Sequence, residues 1–105
     1  MAWFYLAMAG VFEIGWPVGL KLGWTENGAR PLFIAFAIAC MAASGALLLL
    51  AQRVIPMGTA YAVWTGIGAV GAFTVGVLAF GDSASAMRIV SIALIVAGIV
   101  GLKLA

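Results

Sequence analysis

Four long apolar runs, separated by short polar breaks, set out the plan of this chain. They cover residues 3–22, 31–52, 58–80 and 85–104. Each holds about the 20 residues that an α-helix needs to cross a hydrocarbon core about 30 Å thick. The breaks carry turn chemistry. Asn27-Gly28 in the first is a turn signal, and Pro31 suits the first turn of the helix after it. Pro56-Met57-Gly58-Thr59 punctuates the start of the third run. The pattern predicts an all-α membrane protein, with one four-helix transmembrane domain over residues 1–105.

Composition agrees and removes other classes. Of 105 residues, 67% are hydrophobic and only 8% charged, too apolar for a soluble domain. The basic residues form no cluster, so nucleic-acid binding has no support. With no His and no acidic cluster, no protein metal site is expected. There is no nucleophile–base pair and no phosphate loop, so an enzyme is not expected. Gly66-x-Gly68 lacks the third glycine of a dinucleotide fingerprint and lies within a span. Cys40, the one cysteine, cannot close an intrachain disulfide. Ala7-x-Ala9 looks like a signal-peptidase site, but no basic segment precedes it and the apolar run before it is too short.

Charge in the breaks is nearly balanced. Four spans put Arg53, Lys103 and the terminal amine on one side, and Lys21, Arg30 and Arg88 on the other. The positive-inside rule gives close to a tie. Such a chain can insert in both orientations, which permits an antiparallel homodimer.

The candidate chemistry is in the first span. Glu13 lies near its middle, where an ionised carboxylate is costly and an acid is a functional-site hypothesis by default. The bland alternative is a structural acid paired with a basic neighbour, but no Lys, Arg or His lies at mid-depth in the chain. Gly10 and Trp16 are each almost one turn away on the same face. Pro17 has no N–H for the carbonyl four residues back, which is Glu13's own. In a bilayer that free acceptor needs a neighbouring helix, a water or a bound ligand.

The other spans add fewer polar groups. Ser44 is the polar residue in the middle of the second. It reads either as a hydroxyl bonded back to its own helix or as part of a site. In the third span Tyr61 and Trp64 share a face, and their polar tips want partners if buried. Gly66 and Gly68 permit close packing, or alternatively a kink or hinge. In the fourth, Arg88 can snorkel to the interface, and Ser91, Gly98 and Gly101 offer points of close approach for helix association. Trp3 and Trp24 read as interfacial or packing aromatics.

Four helices are too few to enclose a solvated pathway comfortably. A homodimer gives eight and brings two copies of Glu13 toward the midplane. Such a pair can hold protons or a cation but poorly both, so each ligand lowers the affinity for the other. That competition is sufficient for exchange. The faces of Trp16, Tyr61 and Trp64 can add cation–π attraction. A different class of reading is a small helical subunit with no transport role, in which Glu13→Gln would leave function intact.

On these residues the chain resembles the small multidrug resistance family, over about residues 1–103. The likeness rests on Glu13, on Pro56-x-Gly58-Thr59-Ala60-Tyr61-Ala62-x-Trp64, and on Gly66-Ile67-Gly68. Within the family it looks like the guanidinium-exporter branch, through Gly10, Trp16, Ser44, Trp64-Thr65-Gly66-Ile67-Gly68-Ala69 and Gly101-Leu102-Lys103. The resemblance implies a multi-pass protein of the bacterial inner membrane that needs no cofactor. It implies an antiparallel dual-topology homodimer exporting a small cation against protons, with Glu13 binding each in turn. By the same match Trp16, Ser44 and Trp64 would orient the Glu13 carboxylate, Tyr61 would line the site, and Gly10 would leave room beside the acid. Gly66 and Gly68 would let the third helix bend differently in the two protomers, and the fourth helix would hold the dimer.

Two departures stand out. Helix two is small around Ser44, with Ala42, Ala43, Gly45 and Ala46, which suggests tolerance of alkylguanidiniums or some quaternary ammoniums. Asp82 stands where a glutamate is common, but in a loop. The near alternative in the same class is a broad quaternary-ammonium or polyamine exporter.

Overall fold

Each apolar run forms one helix, and the polar breaks supply the stops. In the computed structural model, which describes residues 1–105, these are α1 (Ala2–Gly23), α2 (Pro31–Ala51), α3 (Met57–Phe80) and α4 (Ala86–Leu104). All four are long and apolar enough to cross a membrane. Pro31 opens α2, where a missing N–H is no loss. Ser85, expected inside the last span, stands just outside it as the N-cap of α4, and its hydroxyl accepts from the Arg88 N–H. Gly81 ends α3 in the left-handed region, at φ 70°, and the Asp82 N–H returns to the Gly76 carbonyl at 3.0 Å.

The first break is more ordered than a turn. Two-residue strands β1 (Trp24–Thr25) and β2 (Gly28–Ala29) pair antiparallel, with Trp24 opposite Ala29 and Thr25 opposite Gly28. Gly28 supplies the positive φ of 112° that the reversal requires. The Thr25 hydroxyl donates to the Gly28 carbonyl at 3.1 Å, and the Arg30 N–H to the Gly23 carbonyl at 2.6 Å.

α1 lies at the centre, with α2 on one side and α3 on another. Small residues on α1 let α2 approach closely. A methyl group built on Gly15 would lie 2.6 Å from Cys40 Sγ, and one on Gly23 would lie 2.7 Å from Ile34 Cγ1. α4 packs mainly on α3, and none of its residues is buried. Near the chain termini Leu6, Ala51, Ile55, Ala60 and Val63 make a small apolar core. Lys103 Nζ sits 4.6 Å from the Trp3 ring centre at that end, and Lys21 Nζ sits 4.9 Å from that of Phe80 at the other. The helices therefore alternate in direction, as four successive spans must. The result is a slab of 47 × 34 × 16 Å, little thicker than one helix of about 10–12 Å with its side chains.

Candidate cation site

Glu13 is half-buried on α1, on the side that meets α3. Trp16 follows on the same face, and its indole N–H donates to Glu13 Oε1. The other carboxylate oxygen is left without a donor from the chain. Opposite the acid stands Gly68. A methyl group there would lie 2.6 Å from Glu13 Cγ, so the acid's side chain rests against the α3 backbone.

Beside this contact is an open cleft of about 250 Å³, where about 10–15 Å³ is enough to admit one water. Glu13, Trp16 and Pro17 form its α1 wall. Thr65, Gly68, Ala69 and Ala72 form its α3 wall. Their spacing of three, four and seven is one face of a helix. In the sequence that face reads as a polar residue followed by three small ones, of which Ala72 lies outside the run that carries the family resemblance.

A second polar chain runs one turn below the acid. Ser44, 1% exposed, donates its hydroxyl to the Ala9 carbonyl at 2.7 Å and accepts from the Trp64 indole N–H at 2.7 Å. It therefore does not bond back to its own helix. In helix geometry the Ala9 carbonyl is also the acceptor for Glu13's own N–H. Ser44 and Trp64 thus tie α2 and α3 to the turn that carries the acid, and they do not bond its carboxylate. Trp16 alone does that.

Each glycine meets a different neighbour. Gly10 receives Ile67 of α3, whose Cγ2 a methyl group on Gly10 would approach to 2.6 Å. Gly68 is the glycine that accommodates the acid. Gly66 faces α4, where Ile99 Cδ1 would lie 2.7 Å from an added methyl group. Tyr61 is exposed and outside the cleft, its ring 5.4 Å from that of Trp64 at an interplanar angle of 53°. On α4, Ser91 bonds back to the Met87 carbonyl at 2.8 Å, while Gly98 and Gly101 face open space.

Four membrane-length helices around a mid-span acid define a small multi-pass membrane protein, and the sequence comparisons say of which kind. Residues 1–95 match the model of the family described as Small Multidrug Resistance protein, and the chain belongs to that family. It is 52% identical over 104 residues to a guanidinium exporter of Citrobacter freundii, covering 99% of this chain and 97% of that one. Guanidinium exporters of Salmonella typhimurium and Escherichia coli K12 are 51% and 50% identical over the same coverage. With bacterial relatives of this closeness, it is a multi-pass bacterial membrane protein.

Proposed function

We propose that this protein exports guanidinium-type cations across the bacterial plasma membrane in exchange for protons, working as an antiparallel homodimer. One observation carries the reading. The Glu13 carboxylate, mid-span and half-buried, has no basic partner; one oxygen is held by Trp16, and the group borders a cleft. A carboxylate so placed takes a proton or a cation. Guanidinium is planar, and its N–H groups form a fork that fits a carboxylate. The relatives at 50–52% identity are named guanidinium exporters along nearly their whole length, which favours this cation over others.

Competition gives the coupling. Protonation removes the charge that holds the cation, so cation binding weakens as pH falls and strengthens as it rises. A dimer accounts for α4, none of whose residues is buried within its own chain and which presents Gly98 and Gly101 to open space. Bends at Gly66 and Gly68 would alternate access between the two sides. Ala42, Gly45 and Ala46 are exposed on α2, and nothing lies within 4 Å of a methyl group built on Gly45. That favours tolerance of alkyl substituents on the cation; transport of guanidinium with rejection of every alkylated analogue would count against it.

The test is guanidinium uptake by proteoliposomes under an imposed pH gradient, comparing the native chain with Glu13→Gln. Accumulation against the cation's own gradient is expected, and loss in the variant. Movement of a quaternary ammonium but not guanidinium would replace the substrate and keep the mechanism. If folded protein moves neither, the non-transporting subunit is the better reading.

A further inference from the structure

The largest hollow of the chain lies away from the acid. A wholly apolar groove of about 730 Å³ runs between α1 and α2 and shares no residue with the cleft. Val18 and Leu22, one turn apart, form its α1 wall, and Leu32 and Phe36 stand on its α2 wall. Ala35 and Ala39 are small and leave the space open. From Leu32 to Ala39 the groove follows α2 for about 10 Å, much of one leaflet of a core about 30 Å thick. It opens at the end of the protein that carries the hairpin, since Leu22 lies in the last turn of α1 and Leu32 in the first turn of α2.

The charge at that mouth is Arg30. It is the N-cap of α2, two residues before Leu32, and it is exposed. Its guanidinium makes no ion pair or hydrogen bond within the chain. Lys21, the cation on the other flank of the hairpin, is turned toward Phe80 of α3 instead. Glu26, the acid of the hairpin, sits at the turn between β1 and β2 and does not pair with Arg30. An apolar groove that enters a leaflet beside a free guanidinium matches a molecule with a hydrocarbon tail and an anionic head. We propose that this groove holds an acyl chain of an anionic phospholipid, whose phosphate accepts hydrogen bonds from the Arg30 guanidinium at the membrane surface. The planar fork of arginine suits a phosphate. No residue of α4, the face proposed for the dimer, borders the groove.

The test is thermal unfolding of the full-length protein in detergent, with added dioleoylphosphatidylglycerol or dioleoylphosphatidylcholine at equal mole ratio. The two lipids share their chains and differ in the net charge of the head. The native Tm should rise by about 4–8 °C more with the anionic lipid, the shift that severalfold tighter binding gives. Arg30→Gln should bring the two lipids level, whereas Arg53→Gln, at the opposite end of α2, should keep the preference. Ala39→Leu fills the groove from an exposed position and should lose the rise with both lipids. Ala35→Leu fills it one turn nearer the mouth and carries the test if the first variant does not fold.

Equal stabilisation of the native protein by both lipids, or by neither, overturns the proposal. So does a preference that survives Arg30→Gln or that is lost as fully in Arg53→Gln, because attraction to the overall charge would then explain it. The same rise with glycerol 3-phosphate alone would show that the head binds without the groove and would also overturn it. A fall to monomer in Ala39→Leu, read by light scattering, would assign the groove to a second copy of the chain instead.

Discussion

One hydroxyl of Ser44 joins two neighbours, donating to the Ala9 carbonyl of α1 and accepting from the Trp64 indole of α3. Removing it leaves the Trp64 indole N–H unpaired beside a buried position. Ser44→Ala should therefore destabilise the protein by about 1–3 kcal/mol, read from thermal unfolding in detergent. Gly68 is the second sensitive position. Gly68→Ala drives a methyl group into Glu13 Cγ, so the acid must move from the position in which it meets Trp16. Guanidinium binding should fall at least about tenfold, with a shift in tryptophan emission that a distant packing defect would not cause. The Glu13–Trp16 pair was legible in the sequence because partners three apart on a helix are neighbours whatever the tertiary fold. The bond from Ser44 to Ala9 was not, because it spans 35 residues and depends on how α1 and α2 are set against each other.

Among the elements, the four helices follow directly from apolar run length and from Pro31 and Pro56 at the starts of α2 and α3. Which glycine faces which neighbour does not. Gly10, Gly66 and Gly68 look alike in sequence, yet they receive Ile67, Ile99 and Glu13 respectively. Only the rotation of each helix about its axis decides between them. The contact between α3 and α4 can be tested on this basis. Gly66→Ala should cost about 1–3 kcal/mol by overpacking against Ile99. Ile99→Val removes the Cδ1 that would lie 2.7 Å from the new methyl group, so the double variant should recover part of the loss. Additive losses in thermal stability would mean that the two residues do not meet.

The whole chain covers little of itself: 15 of its 105 residues are buried, and α4 supplies none of them. The near balance of basic residues across the breaks, read from the sequence, and this open face bear on the same issue of association. A methyl group built on Gly98 has nothing of the chain within 4 Å, so the protomer should still fold in Gly98→Ile. If α4 joins two copies, as proposed, the variant should shift toward monomer in detergent light scattering. An unchanged mass would assign that face to lipid.

The position of the cleft along the chain also bears on the order of synthesis. All of its lining residues lie between Glu13 and Ala72. A ribosome has made every one of them before it reaches Ala86, where α4 begins. The last helix therefore supplies no lining residue, and a fault in its insertion should impair assembly while leaving the residues of the cleft in the chain.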